Sequence, residues 1–263
     1  MTPDLGPPIA TGRTAEIYAW QPGQVLKLFH DWFELESIEY EARIAGAIHA
    51  SGLPVPAVGE IIRLNGRNGL VYQRVDGEPM WKSLSRSPWR VLRYARRSAE
   101  LHVEMHARSF QADIPSQRQK LRRKIETAQA LPASLRSKAL AALGELPDGD
   151  RLCHGDFHPG NILMTAQGEV VIDWIDASRG NPLADLARTS ILLLGAAECQ
   201  IHSPLQKAII RLFHATSLRR YFQLSPGGEG EYRRWLPVVS AARLSEQISE
   251  LEKWLVTQAE RGL

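Results

Sequence analysis

The sequence predicts a two-lobed α+β fold, with a small antiparallel-sheet lobe over residues 1–76 and a mainly helical lobe over residues 77–263. Two features indicate this division. Short apolar segments separated by Gly, Pro and Asn turns occur up to Asp76-Gly77, which is typical of a meandering antiparallel sheet. From Trp81 onwards, apolar residues recur at helical spacing.

Composition and charge favour a soluble globular enzyme. The chain has 263 residues, of which 44% are hydrophobic and 23% charged. The net charge of +3 (32 basic minus 29 acidic residues) is too small to suggest a nucleic-acid partner. No apolar run is long enough to cross a bilayer, and the start resembles no signal peptide. With only two cysteines, Cys153 and Cys199, we expect a protein of the reducing cytoplasm.

The first predicted strands carry a candidate anion-binding lysine. Strands are expected near Glu16–Trp20 and Val25–Phe29, and Lys27 lies on the second of them. A cation on an inward strand face needs a partner. The predicted helix over residues 33–50 offers Glu41, while Glu39 would lie roughly 200° further round that helix.

A glycine-containing loop precedes these strands. Thr11-Gly12-Arg13-Thr14 could cover phosphate groups with its backbone N–H groups, although a single glycine also suits an ordinary turn. After the helix, another strand pair is predicted, with a turn over Asn65–Gly69 and a strand over Leu70–Val75.

The stretch Leu152–Asp173 carries the strongest chemical signal. His154, Asp156 and Asn161 have the spacing H-x-D-x-x-x-x-N, and Asp173 follows the apolar run Val170–Ile172. Protein kinases place a catalytic aspartate, a metal-binding asparagine and a metal-binding aspartate in this order. Phosphoryl transfer needs a carboxylate facing the attacking hydroxyl and oxygen ligands for Mg²⁺. We therefore expect these side chains to converge with Lys27 on one triphosphate.

The segments HGDFHPGN, IDW and GNPLADLA together resemble the aminoglycoside phosphotransferase and choline kinase superfamily, small-molecule kinases with a protein-kinase-like fold. The resemblance runs from about Thr11 to the C-terminal helices and is weakest after Leu192. It implies ATP, or else GTP, as phosphoryl donor, with Mg²⁺, and a small-molecule hydroxyl as acceptor. It also implies Asp156 as catalytic residue, Asn161 and Asp173 as metal ligands, and as nucleotide-binding residues Gly12, Arg13, Thr14, Lys27, Glu41, Arg74 and Val75.

Several polar residues near the motif have more than one interpretation. His102 and His106 have the i, i+4 spacing of a metal site, but packed, hydrogen-bonded histidines are favoured. His154 is expected to anchor the loop, and the resemblance makes Asp185 a structural partner of that loop. For His158 and Asp176, a functional and a packing role stay open.

The segment 117–138 is strongly basic, and a solvated helical face is favoured over an anion-binding surface. If it lined the substrate site, it would oppose a polycationic antibiotic. The resemblance favours an aminoglycoside-type acceptor and hence possible antibiotic resistance. The alternatives are a kinase of an amino alcohol, sugar or homoserine-like metabolite, or a silent nucleotide-binding regulator. We expect a monomer or homodimer without nucleic-acid or membrane partners.

Overall fold

The computed structural model describes residues 5–108 and 114–263. The chain forms two compact units. The first contains the residues up to Pro79 together with Asn161–Ile175, and the second contains Met80–Gly160 with Asp176–Leu263. The return of 161–175 to the first unit was not expected. The assignment of residues 1–76 to nucleotide binding and 77–263 to catalysis stays a prediction, and residues 1–4 lie outside the described part.

The first unit contains an antiparallel five-stranded sheet in the order β1-β2-β3-β5-β4 and a helix, as predicted. A second antiparallel sheet has the order β6-β8-β9. The elements are β1 (Ala10–Thr11), β2 (Ala15–Ala19), β3 (Gln24–Phe29), α1 (Leu35–Ala50), β4 (Val58–Leu64), β5 (Arg67–Gln73), β6 (Gly77–Pro79), β8 (Ile162–Thr165) and β9 (Gly168–Val171).

The β4–β5 turn is shorter than the sequence suggested. Asn65 and Gly66 alone form it, with φ of 52° and 82°, the conformation that tight two-residue hairpins require. The predicted turn over residues 65–69 was therefore too long, since Gly69 lies within β5. A Cβ at Gly69 would approach Leu26 Cδ1 to 2.6 Å, so this glycine serves close strand packing.

The five-stranded sheet buries apolar side chains on both faces. Leu26 and Leu28 pack with Leu64 and Val71 on one side. On the other, Phe29 and Leu70 pack against Ile38 of α1, together with Ala15. Lys27 alternates with Leu26 and Leu28, so its side chain lies on the same face of the sheet as Phe29, towards α1.

The second unit is mainly helical, as predicted. Its elements are α2 (Met80–Arg86), α3 (Val91–His106), α4 (Gln117–Thr127), α5 (Ala133–Glu145), β7 (Arg151–Cys153), β10 (Ser178–Gly180), α6 (Pro182–Glu198), α7 (Pro204–Leu224), α8 (Glu229–Arg243) and α9 (Ser249–Glu260), with short 3₁₀ turns at Pro88–Arg90 and Leu244–Glu246. The stretch 235–254 is divided between two helices, since Gln247 has a left-handed φ of 53° between α8 and α9.

One large apolar core holds the helices of this unit together, centred on α6 and α8. Trp235, Val238 and Ile191 are almost fully buried in it. In the described part of the chain, no helix has the length and apolar character needed to cross a membrane.

Candidate active site

Lys27 and Glu41 form the ion pair that the sequence predicted. Lys27 Nζ lies 2.7 Å from Glu41 Oε1, joining β3 to α1. The hydroxyl of Tyr72 on β5 donates to the same carboxylate oxygen at 2.8 Å. Glu39, the competing candidate, is exposed. The Lys27–Glu41 pairing is therefore confirmed, and Tyr72 is a further partner of Glu41 that no sequence pattern had indicated.

Lys27 also faces a second carboxylate. Its Nζ lies 3.6 Å from Asp173 Oδ1, so the ammonium bridges Glu41 and Asp173. Burial alone would lower the pKa of Lys27, but the charges of Glu41 and Asp173 outweigh it and raise that pKa. Lys27 consequently stays cationic at neutral pH, which is compatible with the phosphate binding predicted for it.

The two predicted metal ligands lie at the open end of one hairpin. Asn161 immediately precedes β8, and Asp173 follows β9 by two residues; the backbone N–H of Ile172 donates to Asn161 O at 2.9 Å. Asp173 has φ of 64°, a left-handed conformation that is uncommon for a residue other than glycine. Its carboxylate is 42% exposed while contacting Lys27. A carboxylate and an amide oxygen held this way fit Mg²⁺, a hard cation.

The candidate nucleotide loop is the turn of a hairpin. Thr11 pairs with Glu16, and the N–H of Gly12 donates to Ala15 O at 2.8 Å. Arg13, like Gly12, is exposed, and Thr14 is half-buried. A hairpin turn of this kind could present backbone groups to a ligand. The nucleotide contacts of Gly12, Arg13 and Thr14 stay predictions.

Arg74 and Val75 follow β5 directly. The N–H of Arg74 donates to Gly23 O at 2.8 Å, and its exposed side chain pairs with Asp76 at 2.8 Å. Val75 is half-buried. An adenine contact of this segment through backbone groups also stays a prediction.

In the second unit, Asp156 lies in the loop that follows β7, and its carboxylate faces two basic groups. Its Oδ2 is 3.5 Å from His158 Nε2, and its Oδ1 is 3.7 Å from Arg188 NH2 on α6. Burial opposes ionisation, but His158 and then Arg188 override it and hold the pKa of Asp156 far below its usual value. Asp156 is therefore a carboxylate at neutral pH, able to accept a hydrogen bond from a hydroxyl.

Asp185 anchors this loop, as predicted. One of its oxygens accepts from the N–H of His154 at 2.9 Å and the other from the N–H of Gly155 at 2.7 Å. The Nε2 atoms of His102 and His106 each lie 3.1 Å from Asp185 Oδ2. These contacts explain the i, i+4 histidines as packed partners of Asp185, and burial lowers the pKa of His102 to about 4, so it is neutral.

His154 and His158 both brace the loop from within. The Nδ1 of His154, which is fully buried, accepts from the N–H of Asp156 at 3.2 Å. The Nδ1 of His158 accepts from the N–H of Gly160 at 2.9 Å. The anchoring role predicted for His154 is confirmed, and His158 combines loop bracing with its contact to Asp156.

The basic segment 117–138 is only in part the solvated face that the sequence favoured: Arg122, Arg123 and Lys138 are exposed, but Arg118 and Lys120 are not. Lys120 Nζ lies 2.9 Å from Asp176 O and 3.3 Å from Asp176 Oδ1, and its side chain is only 15% exposed. Arg118 donates to the backbone carbonyls of Leu143 and Leu146 at the end of α5. That interpretation was wrong for these residues because they satisfy buried acceptors, which spacing along α4 alone does not reveal.

Arg188 is the site residue that the sequence reasoning missed. Besides its approach to Asp156, its Nε donates to Gly155 O at 3.0 Å, and NH2 lies 2.6 Å from Glu246 Oε1. Its position three residues after Asp185, nearly one helical turn, could have signalled that it faces the same loop. Cys153 is fully buried, and burial raises the pKa of its thiol, so Cys153 is a packed residue and not a reactive thiolate.

Comparison with known proteins agrees with this geometry. The sequence model of the phosphotransferase enzyme family (APH) matches residues 7–216. The curated proteins include no matching relative. Among solved structures, an aminoglycoside-3'-phosphotransferase of type VIII matches at 20% identity, covering 91% of this chain and 92% of that one, with a TM-score of 0.62.

Two further solved structures of similar fold belong to proteins that are named for different substrates. The streptomycin-ATP-APH(2")-IIa ternary complex matches at 16% identity over 100% of this chain and 94% of that one (TM-score 0.62). A putative fructosamine-3-kinase from Haemophilus somnus 129PT matches at 12% identity over 98% and 90% (TM-score 0.60). At such identities these structures establish the kinase-like fold alone. Because the family match covers most of its length, the chain belongs to the phosphotransferase enzyme family (APH).

Proposed function

We propose that this phosphotransferase moves the γ-phosphoryl group of ATP to a hydroxyl of a small molecule. The observation that carries the proposal is the placement of Lys27, whose ammonium lies 2.7 Å from Glu41 and 3.6 Å from Asp173. A lysine fixed between a helix glutamate and a metal-binding aspartate is the arrangement with which kinases bind phosphates.

On the donor side, Lys27 would bind the α- and β-phosphates, with Glu41 fixing its position. Asn161 and Asp173 would hold Mg²⁺, which when bound neutralises charge on the triphosphate. The turn around Gly12 would cover the phosphates with backbone N–H groups. ATP is proposed because one structure of similar fold is a complex with ATP, and GTP is the alternative.

On the acceptor side, Asp156 would orient the hydroxyl and take up its proton. The acceptor oxygen forms a bond to the γ-phosphorus, the bond from that phosphorus to the β–γ bridging oxygen breaks, and ADP leaves. The low pKa of Asp156 makes it a weak base, which suits a loose transition state in which positioning outweighs proton abstraction. His158 and Arg188 keep the carboxylate ionised and oriented.

Two classes of acceptor are considered, an aminoglycoside-type antibiotic and a small metabolite. The resemblance to aminoglycoside phosphotransferases favours an aminoglycoside-type antibiotic. The basic side chains close to Asp156, Arg188 above all, favour the alternative of a small metabolite, because they would repel a polycation. A silent regulatory module is disfavoured, since the residues needed for transfer are all present.

The test is Asp156→Asn, assayed with a panel of aminoglycosides, macrolides, amino alcohols, sugars and hydroxy acids. We expect turnover to fall by a factor of roughly 10² to 10⁴, because the amide cannot accept the proton. Nucleotide binding, measured by calorimetry, should persist. Asp150→Asn is the matched control, since its side chain is 75% exposed and contacts Arg151. Full activity of the Asp156 variant would refute the role of Asp156, and a wild-type protein that binds no nucleotide would refute the proposal.

A further inference from the structure

A pocket in the second unit borders the loop that carries Asp156. Gly155 of that loop lines it, together with Lys120 and Lys124 of α4, Asp176, Arg188 of α6 and Arg243 of α8. Its cavity volume is about 40 Å³, which is room for a small anionic group and not for a whole acceptor molecule. Arg188 connects this pocket to Asp156 at 3.7 Å.

The cations of the pocket outnumber the carboxylates that they contact. Asp176 Oδ1 lies 3.3 Å from Lys120 Nζ and 3.7 Å from Lys124 Nζ, so two ammonium groups share one carboxylate oxygen. A second carboxylate is shared as well. Glu246 is 2.6 Å from Arg188, 3.4 Å from Arg243 and 3.8 Å from Lys124.

Counting Asp156 as a partner of Arg188, four cations face three carboxylates among the described residues. Asp185 also lines the pocket and is a fourth negative charge, but its oxygens contact two backbone N–H groups and two histidines instead of these cations. Burial is the main cause that lowers the pKa of Lys120; the charge of Asp176 opposes it, and the charge of Lys124 adds to it.

We propose that the acceptor carries an anionic group, a carboxylate or a phosphate, in addition to the hydroxyl that is phosphorylated. This inference rests on the proposed function and names the substrate class of the same site. The anion would give the four cations a partner beyond the three carboxylates that they share, and Arg188 contacts both the pocket and Asp156. A polycationic acceptor would be repelled by the four cations of the pocket.

Lys124 is the side chain best placed to select the anion. Its side chain is 29% exposed, against 15% for Lys120, 12% for Arg188 and 8% for Arg243. It lies one helical turn after Lys120, and its Nζ is within 4 Å of both Asp176 and Glu246. An entering anion can therefore contact Lys124 without displacing the buried ion pairs.

The experiment compares acceptors that differ only by the anionic group. The full chain with ATP and Mg²⁺ is assayed with glycerate and glycerol, homoserine and 3-aminopropanol, and ribose 5-phosphate and ribose, with kanamycin as the polycation. The first of each pair should be the better substrate, with at least one anionic probe at a kcat/KM tenfold or more above its partner. The carboxylate and phosphate probes distinguish the two sources of the anion.

Variants of α4 give the second readout. For the preferred anionic probe, Lys124→Gln should raise KM tenfold or more, and Lys124→Arg should restore most of the affinity. Arg122→Gln on the same helix is the control, because its side chain is 51% exposed and lies 3.9 Å from Glu126. Thermal melting of each variant separates loss of affinity from loss of fold.

The outcomes separate the two proposals. Turnover restricted to neutral or cationic probes, or no turnover of any anionic probe by a protein that binds ATP, overturns the anionic acceptor and leaves the kinase proposal standing. An unchanged KM in Lys124→Gln also overturns it. Absence of nucleotide binding overturns the proposed function and this inference with it.

Discussion

At the scale of single residues, the ion pair of Lys27 with Glu41 is the contact on which the donor side depends. Glu41 is 3% exposed and lies in the interior of α1, where an unpaired charge would be costly. Tyr72 donates to the same oxygen, and burial followed by the charge of Glu41 raises the pKa of this phenol, so it stays protonated. The pair thus stabilises the sheet–helix interface while it orients Lys27.

Replacing Glu41 with Ala should lower the free energy of unfolding by about 3 kcal/mol, because it removes the nearest partner of a buried ammonium. Nucleotide affinity should fall in parallel, since Lys27 would be held by Asp173 alone. Urea unfolding and calorimetry measure the two effects. Glu39→Ala, two residues away and exposed, should change stability by less than about 0.5 kcal/mol. Equal effects of the two substitutions would contradict the assigned pairing.

At the scale of elements, the second unit depends on polar contacts between helices as well as on its apolar core. Tyr221 of α7 lies 2.8 Å from His106 Nδ1 of α3, and the α3 histidines in turn contact Asp185 at the start of α6. His102 also stacks on Phe157 of the loop that carries Asp156, with ring centroids 4.2 Å apart. Three helices therefore determine where the Asp156 loop lies.

Helix α7 also carries a histidine that should destabilise the protein in acid. His214 Nε2 is buried and has no hydrogen-bond partner among the described residues. Burial lowers the pKa of His214 to about 4, below the usual 6.5, so the unfolded chain binds the proton more readily. Stability should consequently fall as the pH drops from about 6.5 towards 4.

His214→Leu should therefore raise the melting temperature, and raise it more at pH 5 than at pH 7.5. At pH 7.5 the gain should be about 1 kcal/mol, from removing an unsatisfied buried nitrogen. At lower pH the gain in stability should be larger, because leucine cannot bind the proton that favours the unfolded chain when histidine is present. Melting curves at both pH values test this, with His202→Leu in the turn after α6 as control. A gain that is the same at both pH values would exclude His214 as the titrating group.

At the scale of the whole molecule, the proposed reaction draws on both compact units. Lys27, Glu41, Asn161 and Asp173 belong to the first, and Asp156, Arg188 and the cationic pocket belong to the second. A ligand that binds only the folded chain stabilises it by mass action. Binding of nucleotide should therefore be visible as a change in global stability, independently of any acceptor.

A non-hydrolysable ATP analogue with Mg²⁺, at about 100 times its dissociation constant, should add about 2.7 kcal/mol to the stability of the chain. Removing Mg²⁺ with a chelator should reduce this gain. In Asp173→Asn the Mg²⁺-dependent part should be lost, because a carboxylate ligand is missing. Asp31→Asn, with an 86% exposed side chain, should behave as wild type. An undiminished Mg²⁺ effect in Asp173→Asn would remove Asp173 from the metal site.

Local patterns in the sequence were enough to predict the strands around Lys27, the helix that carries Glu41 and the motif from His154 to Asp173, since alternation, helical spacing and short motifs need only neighbouring residues. Helix geometry showed that only one of Glu39 and Glu41 could face the strand, because residues two positions apart lie on nearly opposite sides of a helix. The choice of Glu41, the kinase-like fold and the anchoring role of Asp185 came from the family resemblance.

The contacts between residues from distant parts of the chain could be seen in the folded structure alone. Tyr72 contacts Glu41 across 31 positions, and Lys120 meets Asp176 across 56. The β4–β5 turn and the break at Gln247 likewise depend on backbone conformations that several residue types tolerate. A basic run such as 117–138 looks the same in sequence whether water or carboxylates of other elements surround it, because those carboxylates are brought there by the folding of distant parts of the chain.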